Sequence, residues 1–173
     1  MAKVSVSRRS ASGIALIIAG ALVVLAAILP LLSVSVPWLM VLAYAAIAVA
    51  LGILGFGAVN NTVAKVALIA SAVGWALLAL VGLGIALPSV IVTIAAVVAG
   101  VGMLVGAIVL YVGKEITNMS ALAFIVAGAL GLIYLLATVL GAFSLASLAV
   151  VVVILFGVAL IVTGVLFRRV GPR

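Results

Sequence analysis

The 173-residue chain has no cysteine and no histidine, and its only acidic side chain is Glu115. Each absence removes a chemistry. Without cysteine there is no disulfide, no thiolate nucleophile and no thiolate-held zinc or iron–sulfur centre. Without histidine the usual general base, proton shuttle and commonest metal ligand is missing. One carboxylate cannot form an acid–base pair, and it is a poor start for a calcium or magnesium site. No base is placed to activate a hydroxyl nucleophile. The sequence therefore predicts no catalytic residue, no metal and no cofactor, and a protein that is not an enzyme.

What is there is apolar. Hydrophobic residues make up 71% of the chain and charged residues 5%, against about 45–50% and about 25% in an ordinary soluble domain. A soluble fold of this length could not bury so much apolar surface, and disordered chains are poor in hydrophobics. The expectation is all-α: a polytopic membrane bundle of six transmembrane helices. Six stretches approach the roughly 20 apolar residues that a spanning helix needs: 13–32, 38–56, 64–87, 89–112, 119–141 and 145–167. Pro30, Pro37 and Pro88 fall at or near the breaks, where a missing N–H is tolerated. Gly55, Gly57, Gly113 and Gly141 lie where glycine can end a helix, and Thr62, Asn118 and Ser144 where a side chain can cap one. The spans lack the apolar/polar alternation of an outer-membrane barrel. This divides the chain into a basic tail at 1–12, a transmembrane domain at 13–167 and a second basic tail at 168–173. The first span has a basic start and a small-x-small ending at Ser33-Val34-Ser35, as a signal peptide would. Its apolar stretch exceeds the usual core of about 7–15 residues, so a retained helix is expected.

The eight cations are Lys3, Arg8, Arg9, Lys65, Lys114, Arg168, Arg169 and Arg173. With six spans, all fall on one side of the membrane. The positive-inside rule puts that side, with both termini, in the cytoplasm, and the membrane is read as a plasma (bacterial inner) membrane. A net charge of +7 does not imply nucleic acid here, because the cations come in short pieces between spans. They fix topology and meet anionic lipid headgroups, each contributing about 1 kcal/mol near the surface. Lys114-Glu115 reads as a solvated pair of small energetic consequence. Asn60-Asn61-Thr62 and Asn118-Met119-Ser120 match glycosylation sequons but fall on the cytoplasmic side, so they read as turn and cap residues.

Inside lipid, helices associate by close packing of small residues. Gly102 and Gly106 form a G-x-x-x-G in the fourth span. Gly157 and Gly164 lie two turns apart on one face of the sixth. These four are the candidate packing or oligomer positions. Ala70/Gly74, Ala127/Gly131 and Ala137/Gly141 share the small-residue spacing. The glycines from Gly100 to Gly106 superficially resemble a dinucleotide loop, but the third comes one place late and no βαβ unit surrounds it. Trp38 and Tyr111 sit at span edges, as interfacial aromatics do. Tyr44, Trp75 and Tyr134 lie deeper and form a candidate intramembrane pocket. The other polar groups within spans, Ser71, Thr93, Thr138 and Thr163, read as hydroxyls bonded to their own helix.

The spans also form three hairpins. Leu16-Ile17-Ile18-Ala19-Gly20-Ala21-Leu22 resembles Phe124-Ile125-Val126-Ala127-Gly128-Ala129-Leu130, with Leu68-Ile69-Ala70-Ser71-Ala72-Val73-Gly74 as a looser middle copy. Six spans in three short hairpins, with Gly20, Gly128, Pro30 and Gly-rich second helices, resemble the HdeD-like acid-resistance membrane proteins over most of the chain. The outer-end proline occurs cleanly only at Pro30; Pro88 is displaced into a loop and the third hairpin has none. The resemblance implies a stress-linked inner-membrane protein, with no catalytic residues to carry over.

No span carries an ionisable group at mid-depth, which disfavours coupled transport by charged residues. Two function classes stand. One is a non-catalytic structural, accessory or stress-related membrane protein that packs with itself or with a membrane partner. The other is a small permease for a neutral or lipophilic solute, built on Tyr44, Trp75 and Tyr134.

Overall fold

The computed structural model describes residues 2–139 and 146–169, with side-chain surroundings for 7–139 and 148–169. Every described element is helical: α1 (Ala2–Ile28, continued by a 3-10 turn, Leu29–Leu32), α2 (Trp38–Gly57), α3 (Thr62–Gly82), α4 (Ser89–Val112), α5 (Asn118–Val139) and α6 (Ala146–Arg169). In lipid a helix satisfies its backbone groups within its own segment, which is why uninterrupted apolar runs take this form. All six contain stretches long and apolar enough to cross a membrane. The molecule is a multi-pass integral membrane protein.

Proline and turn chemistry set most of the boundaries. Pro37 and Pro88 immediately precede α2 and α4, and Pro30 lies in the 3-10 turn closing α1. Several details differ from the sequence reading. The first helix starts at Ala2, so the basic segment before residue 13 is helical. The third helix stops at Gly82, not at Leu87; Gly84 follows in the left-handed region at φ +88° and turns the chain toward Pro88. The cap of α3 is Asn61, not Thr62: its side chain accepts from the Val63 and Ala64 amides at 2.9 and 3.2 Å. At α5 the Thr117 hydroxyl accepts from the Ser120 amide at 3.4 Å, one residue before the expected Asn118. Gly113 follows α4 with an ordinary negative φ, while Lys114 takes the left-handed turn at φ +52°. Gly141 and Ser144 lie outside the described residues.

Each helix packs against its neighbours in chain order, and α6 returns to α1, so the six close into a circle. The closing seam is made of glycine. A β-carbon added at Gly13 would sit 2.7 Å from the Gly164 carbonyl oxygen, and one at Gly157 would sit 2.9 Å from the Gly20 carbonyl oxygen. Without side chains at these positions the two backbones touch. Buried positions recur from hairpin to hairpin. Residues 12, 64 and 120 are buried on the odd helices, as are 16, 68 and 124, and 19, 71 and 127. On the even helices 43, 99 and 156, then 47, 103 and 160, then 54, 110 and 167 are buried.

Candidate functional site

Tyr44 on α2, Trp75 on α3 and Tyr134 on α5 come from separate spans and meet at the centre of the circle. The two tyrosine hydroxyls are 2.6 Å apart, bridging helices from opposite sides. The Tyr44 ring lies against the Trp75 indole, centroids 5.3 Å apart. A fourth aromatic completes the cluster. Phe156 of α6 stacks on Trp75 at 5.9 Å and 13°, and on Tyr134 at 6.3 Å. Trp75 and Phe156 are both fully buried. Gly131 on α5 makes room for them: a β-carbon there would come within 3.0 Å of the Phe156 ring. The three sequence-selected residues are therefore brought together, but their rings pack against one another and against Phe156.

Chemically the cluster holds two hydroxyls and one indole N–H, with no carboxylate, amine or imidazole. It can exchange hydrogen bonds with a neutral group but has no acid–base pair. The indole Nε1 of Trp75 is buried without a hydrogen-bond partner among the described residues. Such an unmatched donor ordinarily costs about 1–3 kcal/mol. Phe156 escaped sequence reasoning because a phenylalanine in an apolar run is unremarkable. The available signal was the hairpin alignment, in which it stands level with Ala43 and Ala99, small residues in the other two hairpins.

The hydroxyls elsewhere in the spans divide into two groups. Thr93, Thr138 and Thr163 bond the carbonyl four residues back, at 2.9, 2.8 and 2.7 Å. Ser71 does not: it reaches across to the Ala99 carbonyl on α4 at 2.6 Å, as Ser12 reaches Ala50 on α2 at 2.9 Å.

The charged residues gather at one end of the circle, at the start of α1, the α2–α3 and α4–α5 turns, and the end of α6. Lys3 lies in α1, and Arg173 is outside the described residues. Glu115 is not a solvated partner of Lys114. Its two carboxylate oxygens accept from the Asn60 and Asn61 amides at 2.9 and 2.7 Å. On the other side of the same turn, Arg9 donates from Nε and Nη2 to the Ala58 carbonyl, both at 3.2 Å. The α2–α3 turn is thus held from α1 and from the α4–α5 turn, each bond using an orphan backbone group at a helix end.

The candidate packing glycines all face neighbours within the chain. A β-carbon on Gly102 would meet the Ala67 carbonyl oxygen of α3 at 2.7 Å, and one on Gly106 would meet Leu68 at 2.7 Å. Gly157 and Gly164 face Gly20 and Gly13. Among the described glycines only Gly52 and Gly84 have nothing within 4 Å of an added β-carbon.

A closed circle of six apolar antiparallel helices, with an aromatic cluster at its centre and its charge at one end, defines a polytopic helical membrane protein. No protein-family model matches the chain, and no curated protein or solved structure does so either.

Proposed function

We propose that this is a non-catalytic membrane protein of the structural or accessory kind, which associates with itself or with a membrane partner through the outward face of α2. It would reside in a plasma membrane with its charged end and both termini in the cytoplasm. The observation that carries this reading is the unobstructed Gly52 within the exposed apolar face of α2. Along α2, Leu42, Val49 and Phe56 are exposed at seven-residue intervals, Phe56 to 74%. Ala45 and Gly52 lie between them at the spacing of a coiled-coil seam, and Gly52 is unobstructed. The described glycines of α4 and α6 are occupied inside the chain, which leaves Gly52 as the mid-helix glycine, among those described, free to admit a second helix. The resemblance to HdeD-like proteins supports the same class. The three hairpins, with buried positions in matching register, are read as copies of one unit.

The test is Gly52→Leu, with the protein extracted mildly from its host membrane and sized by native mass spectrometry. The variant is expected to fold and to lose a complex that the unaltered protein forms. An unchanged complex in the variant, or no complex for either, would sink the α2 reading.

A second reading, a small permease for a neutral solute, is favoured by one observation: the unpartnered Trp75 N–H beside the Tyr44–Tyr134 pair. It predicts flux of a neutral polar solute in liposomes, abolished by Trp75→Ala. No flux across a broad solute panel would dismiss it.

A further inference from the structure

The antiparallel contact of Gly13 with Gly164 and Gly20 with Gly157 continues to the charged end, where it brings Arg8 and Arg9 level with Arg168 and Arg169. The Arg168 side chain crosses onto α1: a β-carbon on Gly13 would lie 3.1 Å from its Cγ. Arg8 lies over Gly57 at the end of α2, and Arg9 holds the Ala58 carbonyl. Arg8, Arg168 and Arg169 are exposed. Arg168 and Arg169 therefore stand in the α1–α6 sector of the rim, while the Arg8 and Arg9 guanidiniums turn to the end of α2.

Like charges this concentrated repel one another, and the chain offers them no carboxylate side chain. Its only acidic residue, Glu115, is bonded to the Asn60 and Asn61 amides. An external anion is favoured there. The chemistry of the surroundings selects it. The arginines stand at the ends of membrane-spanning helices, the level of lipid headgroups. Immediately along the same two helices, Ile14, Ile18, Val158 and Val162 are exposed at 44%, 51%, 45% and 45%. Cationic donors and an apolar wall are thus continuous. A guanidinium fork matches a phosphate through paired hydrogen bonds.

We propose that the rim between α1 and α6 binds an anionic phospholipid, its phosphate held by Arg168 and Arg169 and its acyl chains lying along Ile14, Ile18, Val158 and Val162. The site is local, not a general effect of net charge. It depends neither on the α2 association face nor on which side of the membrane the charged end occupies.

The experiment is native mass spectrometry of the protein in a neutral detergent, titrated with phosphatidylglycerol and, separately, phosphatidylcholine. The unaltered protein is expected to retain phosphatidylglycerol preferentially. Arg168→Gln/Arg169→Gln should weaken that retention about thirtyfold, the loss of two basic contacts near a lipid surface. Arg8→Gln, whose guanidinium lies against the end of α2, should leave it nearly unchanged. Lys65→Gln/Lys114→Gln removes the same charge from the α3–α5 sector and should leave retention unchanged. Equal losses in the two double variants would reduce the site to diffuse attraction and overturn the proposal. So would equal retention of the two lipids. Inorganic phosphate should not displace the lipid; displacement at millimolar concentration would show a free-phosphate site instead.

Discussion

At the scale of single residues, the polar groups do work that their sequence neighbours do not announce. Glu115 sits beside Lys114 in sequence, yet its carboxylate is bonded to two amides more than fifty positions earlier. Hydrogen bonds to a charged acceptor contribute about 1.5–3 kcal/mol each when well sheltered; at this half-exposed rim Glu115→Ala should cost about 1–2 kcal/mol in total. Glu115→Gln, which keeps one acceptor oxygen, should cost less. Melting temperatures in detergent check both, and a substitution without effect would show that the α2–α3 turn holds without its clamp. The Tyr44–Tyr134 hydroxyl pair makes a second prediction. A double-mutant cycle with Tyr44→Phe and Tyr134→Phe should give a coupling of about 0.5–1.5 kcal/mol, the range of interhelical hydrogen bonds in membranes. Of this cluster, Tyr44, Trp75 and Tyr134 were legible in the sequence as aromatics away from span edges. Phe156 was not, because an apolar side chain in an apolar span carries no mark of where it points.

At the scale of the helices, glycine has two opposite roles, and the sequence does not tell them apart. Gly20 abuts the Gly157 carbonyl oxygen across the α1–α6 seam, whereas nothing lies near an added side chain at Gly52. Substituting alanine at the two positions should therefore have effects of opposite sign. Gly20→Ala forces backbones apart and is expected to destabilise by about 2–4 kcal/mol, the range of core overpacking and its larger cases. Gly52→Ala should be neutral or stabilising by up to about 1 kcal/mol, from helix propensity alone. Thermal unfolding of the two variants in one detergent decides it; similar losses at both would mean that Gly52 has a covering neighbour. The spans themselves were legible to within a few residues where proline marks the break, as at Trp38 and Ser89. The boundary at Gly82 was not, because Leu83–Leu87 remains apolar while the backbone turns.

At the scale of the whole molecule, the sequence and the fold share the account unequally. The positive-inside reading makes a direct prediction, and the absence of native cysteine makes it clean to test. Ser35→Cys should react with a membrane-impermeant maleimide in intact cells, and Thr62→Cys only after lysis; the reverse pattern would invert the molecule. Length, composition and the placement of cations determined the class, the six spans and the gathering of charge at alternate ends of them. These are local properties, since the bilayer selects each helix by its own apolar length and keeps its charges out. What only the tertiary structure decided is which face of each helix is inside. In water a stripe of apolar residues marks the buried face. In lipid both faces are apolar, so the pattern that would reveal the interior is erased. The pairing of Gly20 with Gly157, the aromatic centre and the clamp at Glu115 rest on contacts between positions far apart in the chain, and close packing alone selects them.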